Sequence, residues 1–416
     1  MANTLKFIDL VAREALAIAH EKAAFIGTVD RQYDDSFGKN GAKIGNTLRV
    51  RNPNKYTRRT GSRVMNIQDT VEATQTITMA TQDGVDMQFN SAELALDTED
   101  KEAVAAFSKR YIEPAASVLL SGIESDFLAF ATKATYQCAG TAGTALTDLA
   151  VPGTARAKLN QMLAPKDNQR NVMLDSVTMG QLVNGSAAYF NPGAAIAEQY
   201  KEGFIARRAM ADFYENERVW SLTNGSDVTI NTDANALVVD GTGALDFHTL
   251  TASQVAIGAV FTIAGCYACH PENKALLPGG LQQFTLVSGG GTGAGASTVS
   301  PTINLTGPSQ NVCSVTGSQL AASDFNAKTL TFVGLASTSY SQGLMYHHDA
   351  FQFITADLPQ LAGGIECSRR MQDGISLRVS MGGDIINDRM LVRLDILYGF
   401  AALRPEWACR LVGSSS

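Results

Sequence analysis

Three clusters in this chain combine residue types that could do chemistry. Cys266-Tyr-Ala-Cys269-His270 has the spacing of covalent haem attachment, in which two thiols form thioethers and the histidine binds iron. The same thiols could hold half of a zinc site or act as a redox pair, but zinc needs a second pair. Cys138, Cys313, Cys367 and Cys409 stand isolated in the sequence. Gly289-Gly-Gly-Thr-Gly-Ala-Gly295 looks like a phosphate cradle, yet no Lys-Ser/Thr follows and Ser297–Thr302 contains Pro301 and no helix start. His347-His348-Asp349 offers metal ligands without a spaced partner, and reads as a satisfied strand-end pair. There is no Gly-x-Ser-x-Gly elbow, and five histidines are few for an enzyme. The expectation is a chain with no catalytic, cofactor-binding or metal site.

The elements that would have to position these residues point the same way. Phe261-Thr-Ile-Ala-Gly265 is a strand pattern leading into Cys266, so the thiols fall on a strand and suit small buried apolar positions. The surrounding stretch, 223–340, holds only eight charged side chains: Asp227, Asp233, Asp240, Asp246, Glu272, Lys274, Asp324 and Lys328. Short strands recur at 228–230, 237–239, 260–264, 284–287, 312–315 and 330–333, with turn-rich segments between them. That is the pattern of a small all-β module, a barrel, inserted into a mixed frame.

A length of 416 residues suggests two or three structural units. Hydrophobic residues make up 45% and charged residues only 18%, which suits a subunit covered by neighbours. The net charge of −7 argues against a dedicated nucleic-acid binder. Lys6, Asp9, Arg13 and Glu14 interrupt any apolar signal core, and no run of about 18 apolar residues is present. The chain is therefore expected in the cytosol with reduced thiols and without a membrane partner.

Residues 4–26 form an amphipathic helix pattern through Ile8, Val11, Ala15, Ile18 and Phe25, with Gly27 as a stop. The run 49–63 carries Arg49, Arg51, Lys55, Arg58, Arg59 and Arg63 with no acid among them. Asp83-Gly84, between 71–82 and 85–89, is a hairpin signal. Ile77 and Met79 then share one face, opposite Val85, Met87 and Phe89. Such a two-stranded arm needs support, which a neighbouring subunit could give. Residues 97–136 are the longest helical pattern, capped by Asp97 and interrupted at Pro114. Further helices are expected at 154–164 and 194–213, and a strand at Met173-Leu174.

The last thirty residues read as a buried strand, a glycine break and a short exit. Tyr398, Gly399, Ala402, Arg404, Pro405 and Glu406 stand where tailed-phage coat proteins of the P22 type carry Tyr-Gly-x-x-Ala-x-Arg-Pro-Glu. Arg110-Tyr-Ile-Glu-Pro-Ala-Ala116, continuing to Ile123-Glu-Ser-Asp126, resembles the spine helix of that family, which also carries an insertion like 223–340.

The resemblance implies an α+β, Hong Kong 97-like capsid fold with an inserted barrel. It implies an N-terminal arm (1–46), an extended loop (47–96) and a spine helix (97–137). An axial domain (138–222 and 341–387) would be split by the barrel (223–340), and a C-terminal peripheral strand (388–416) would follow. The implied function is that of a major capsid protein, not an enzyme. It would assemble in the host cytoplasm into hexamers and pentamers of an icosahedral virion shell, and enclose double-stranded DNA without reading its sequence. Scaffolding and portal proteins are the implied partners. Intersubunit contacts are expected from Arg49, Arg51, Lys55, Arg58, Arg59, Arg63, Ile77 and Met79. An encapsulin-like cellular shell shares the fold but usually lacks the insertion. A redox or haem protein using Cys266 and Cys269 is the alternative of a different class.

Overall fold

A computed structural model describes residues 23–34, 47–59, 61, 63–65, 67–68, 74–90, 108–186, 209–234, 236, 238–250, 254–289, 293–360, 366–372, 374–384 and 386–415. Of the expected helix at 4–26, residues 4–22 lie outside this set, as do the Asp97 cap and residues 194–208; its described end is the helix Ala24–Thr28, which runs through Gly27 instead of stopping there. The chain divides into two units. The first comprises Met1–Arg51, Thr74–Phe127 and Phe351–Leu403; the second comprises Asn52–Ala73, Leu128–Ala350 and Arg404–Ser416.

The first unit is organised by the strand Arg389–Ala402. Val392, Leu394, Ile396 and Tyr398 alternate onto one buried face, as the two-residue period of a strand requires. This strand pairs with Ile375–Asp384, Thr81–Asn90 and Phe351–Ala356. Glu366–Gln372 and the parallel strand Asp30–Asp34 complete a six-stranded sheet. An aromatic core lies against it. The ring of Phe127, on the helix Glu113–Ala134, sits 4.8 Å from Phe25, 5.7 Å from Phe353 and 5.2 Å from Phe400. The Phe25 N–H donates to the buried Glu124 carboxylate at 2.5 Å.

Two glycine readings change here. Asp83-Gly84 is not a turn; it lies inside the continuous strand Thr81–Asn90. Register explains why glycine is needed. Arg378, Asp395 and Gly84 are direct cross-strand neighbours on three adjacent strands. Asp395 is wholly buried and accepts from Arg378 Nη2 at 2.6 Å and Arg393 Nε at 2.7 Å. A Cβ at position 84 would sit 2.6 Å from Asp395 Oδ1 and 2.7 Å from the Leu394 carbonyl oxygen. Gly399 likewise does not break its strand. It lets the backbone of Thr78 and Met79 approach, where a Cβ would meet the Thr78 carbonyl oxygen at 2.5 Å. The chain after Leu403 does not simply exit; Ala408–Ser415 is a strand of the second unit.

The second unit has a frame and a barrel. The frame sheet runs Cys138–Ala139, Ala408–Ser415, Ser339–His347, Arg170–Leu174 and Asp212–Glu215, with Ser221–Thr223 also on Ser339–His347. Helices Ala150–Gln161 and Ser176–Ser186 pack on it through Ala155, Leu159, Met179 and Leu182. Asp212–Glu215, at the end of the expected 194–213 helix, is a strand pairing with Arg170–Leu174.

The barrel sheet runs Thr242–Leu250, Gly293–Ile303, Leu276–Ser288, Val260–Cys269, Thr329–Phe332 and Thr229–Asn231. A bridge between Thr232 and Phe247 joins its two ends. Its interior holds Phe247, Phe261, Phe284, Phe325 and Phe332. Two of these strands, Thr242–Leu250 and Gly293–Ile303, are rich in small residues and escape a search for branched, alternating runs. The expected strand at 237–239 is absent among the described residues there.

Pro114 restarts the long helix, as its missing N–H demands. Ser108–Ile112 forms a π-helical turn, and the α-helix begins at Glu113. Arg110–Ala134 is long and apolar enough by composition to cross a membrane, which a count of consecutive apolar residues does not register. More than half of that stretch is buried inside the protein, as in a core helix.

Two outcomes follow. Gly84→Ala should destabilise the protein by about 1–3 kcal/mol, the usual range for overpacking, in urea unfolding; wild-type stability would mean that Asp395 does not occupy that space. Excised residues 223–340 should give a β-type circular dichroism spectrum and dispersed amide signals. A random-coil spectrum would show that the barrel depends on the rest of the chain.

Candidate functional site

The basic run forms a hairpin and its tip. Strands Thr47–Arg51 and Thr74–Thr78 pair antiparallel, with Arg49 opposite Thr76 and Arg51 opposite Thr74. Alternation gives the hairpin two faces. Val50 and Ile77 pack against Ile354, Leu397 and Ala401 of the same unit, and Gln75 Nε2 donates to the Ala402 carbonyl at 2.7 Å. Arg49, Arg51, Thr74, Thr76 and Thr78 are exposed. The base of the arm is therefore supported by its own sheet. Ile77 and Met79, expected to meet a neighbour, are buried in this core at 1% and 4% exposure. Sequence period placed them together but could not say which sheet they cover.

Beyond Arg51 the backbone is irregular, and a side-chain clasp organises it. Gln68 Oε1 accepts from Thr57 N at 2.8 Å and from Thr57 Oγ1 at 3.1 Å, while Gln68 Nε2 donates to the Thr57 carbonyl at 2.7 Å. Within the clasped segment the Arg59 guanidinium donates to the Val64 carbonyl. Lys55, Arg58, Arg59 and Arg63 are all exposed. Val64, Met65 and Ile67 are 76%, 79% and 82% exposed, and Tyr56 is 57% exposed. Clustered apolar side chains at that exposure mark an interaction surface. Sequence reasoning missed this feature, although the signal was present as an apolar cluster inside a basic run.

The chemistry-bearing motifs separate in space or are spent on structure. Cys266 packs in the barrel core. Cys269 lies on the same strand near Cys313, whose strand pairs with it so that Tyr267 faces Cys313. Burial pushes both the Cys266 and Cys269 thiols well above their ordinary range, so they stay protonated. His347 ends the strand Ser339–His347, is fully buried, and pairs through Nε2 with Asp167 Oδ1 at 3.0 Å. Its Nδ1 accepts from the Asp349 N–H at 3.2 Å, which makes it the satisfied strand-end residue expected. Among the described residues no three His, Cys, Asp or Glu side chains converge as metal ligands.

Comparison with known proteins decides among the readings. The family model described as P22 coat protein, gene protein 5, matches residues 66–413. The chain belongs to the P22 coat protein family. It is accordingly a major capsid protein of a tailed phage, a subunit that self-assembles into an icosahedral shell and resides in the virion. Its fold is mixed α+β and includes a barrel-like sheet. Similar solved structures share little sequence. A protein of Mycobacterium phage Che8 is 11% identical at a TM-score of 0.47, covering 95% of this chain and 92% of that one. The capsid of Ralstonia phage GP4 is 8% identical at 0.45, covering 95% and 90%. The mature capsid of bacteriophage PhiM1 is 10% identical at 0.44, covering 94% and 86%. No curated protein matches the chain.

A coat protein needs no thiol chemistry. Replacing Cys266 and Cys269 together by Val, which suits a buried strand, should leave the thermal transition and shell formation close to wild type. Loss of a stoichiometric metal or haem carried by the native protein would overturn this.

Proposed function

We propose that the clasped tip of the basic arm is the extended loop by which each coat subunit grips an adjacent copy in the capsomers. One observation carries this reading: exposed cationic and apolar side chains share one tip held by three hydrogen bonds. The charge balance fits a copy of the same chain as the partner. The net charge is −7 and residues 49–63 contribute +6, so the remainder carries −13. Apolar burial would supply most of the contact energy, and the arginines would set register and orientation.

On this reading the long helix is the spine, the first unit the peripheral domain, the frame of the second unit the axial domain, and the barrel the insertion. Hexamers and pentamers assemble in the host cytoplasm with a scaffolding protein and a portal. The shell encloses double-stranded DNA without reading its sequence, and the subunit catalyses no reaction.

Changing Arg58 and Arg59 to Glu tests the contact. An exposed ion pair is worth about 0–1 kcal/mol, so the subunit's own thermal transition should hardly move. The same contact recurs in every capsomer, so shell yield measured by negative-stain microscopy should fall. Added salt should reproduce part of the loss in the wild type. Normal assembly of the variant at every ionic strength would leave the arm a solvated loop.

A further inference from the structure

The barrel hangs from a narrow neck. The chain enters and leaves it through Ser221–Thr223 and Ser339–Ser341, which pair with each other. Asn224 N donates to the Thr338 carbonyl at 3.0 Å just beyond the crossing. Two adjacent strands define a pivot and do not fix a rotation about it. The apolar contact beside the neck is small, built from Cys138, Val260, Tyr340 and Val412 with Ala142 and Val333. Apolar burial is non-directional, so it holds surfaces together without setting their angle.

Most of the directional bonds come from two cationic side chains of the frame, and the barrel's Thr285 Oγ1 also donates to the Lys133 carbonyl at 3.2 Å. Arg410, fully buried, donates from Nε to the Thr135 carbonyl at 2.7 Å and from Nη1 to the Gly258 carbonyl at 2.6 Å. Its Nη2 reaches Thr285 Oγ1 at 3.0 Å and the Lys133 carbonyl at 3.3 Å. Gly258 and Thr285 belong to the barrel; Lys133 and Thr135 belong to the end of the long helix. The second point is Lys158, on the helix Ala150–Gln161. Its ammonium donates to the barrel's Gln283 Oε1 at 2.6 Å and to the Cys138 carbonyl at 2.6 Å. Gln283 Oε1 also accepts the Cys138 N–H at 2.9 Å. Neither cation meets a carboxylate among these contacts. The buried Arg410 charge, held only by oxygen dipoles, is costly to keep, and what it supplies is fixed geometry; Lys158 is half-buried.

We propose that Arg410 and Lys158 are positioning residues for shell assembly: together with the neck they form a three-point mount that fixes the barrel's orientation on the frame. The assembly half of this rests on the coat function above; the mount itself does not.

Hydrogen exchange on the full chain reads the mount directly, because the Cys138 amide is bonded to a barrel side chain. In the variant Arg410→Met with Lys158→Met, Cys138 exchange should accelerate by about tenfold or more, while the Phe261 and Phe284 amides inside the barrel stay within about twofold of wild type. Closed shells seen by electron microscopy should give way to open or irregular ones. The barrel-side variant Thr285→Val, which leaves Arg410 its carbonyl partners and the Cys138 amide its Gln283 acceptor, should show the same split if the first variant fails to fold. A protected Cys138 amide in a folded variant overturns the mount. So does equal loss of protection at Cys138, Phe261 and Phe284 in both variants, which would mean plain stability. Normal shells from a variant with an open Cys138 overturn the role in assembly. A wild type that forms no shells would instead count against the coat reading, leaving the exchange result intact.

Discussion

The second unit is arranged around the end of one helix. The helix through Ala134 stops inside the protein, where its last carbonyls would be left without partners and its dipole is negative. Side chains must satisfy the carbonyls of this largely buried end, where Thr132 and Thr135 are buried and Lys133 is exposed. Arg410 does so from the C-terminal strand, with its fork spread over Lys133, Thr135, Gly258 and Thr285. Burial holds this guanidinium down to about 10 from its ordinary pKa, still charged at neutral pH. One side chain thus joins the spine helix, the terminal strand and the inserted barrel.

The first unit meets a similar problem with different means. A carboxylate lies within its sheet, and Asp395 is made tolerable by two arginines and by the absence of a side chain at Gly84. The pair Arg378–Asp395 is buried on both sides, so removing Asp395 would leave the Arg378 charge buried without its carboxylate, whereas removing Arg378 would leave Asp395 paired with Arg393 alone. Such networks set register in a sheet whose apolar face would otherwise tolerate slippage.

On the proposed reading, assembly contacts fall on the tip of the basic arm. The hairpin base is tied to its own sheet by Ile77 and Gln75, and the exposed apolar side chains of the arm's described residues, Tyr56, Val64, Met65 and Ile67, lie at the tip. A firm base with an exposed, internally clasped tip limits the ordering entropy lost on contact. The barrel's thiols serve its interior as small apolar groups.

Much of this was legible in the chain. The composition shift at 223–340, the C-terminal strand through Tyr398, the helix restarting at Pro114 and the strand-end His347 all depend on local pattern, which sequence carries. What sequence could not carry was partnership across long separations. Asp83-Gly84 has the chemistry of a turn, and only Asp395, more than three hundred residues away, makes it a strand. Ile77 and Met79 alternate as a surface arm would, and only the strands at 354 and 401 decide that they are core. Arg410 looks like any arginine near a terminus. Its role exists because the fold brings a helix end and a barrel strand to the same buried point, and a helix's need for a cap says nothing about which distant residue will supply it.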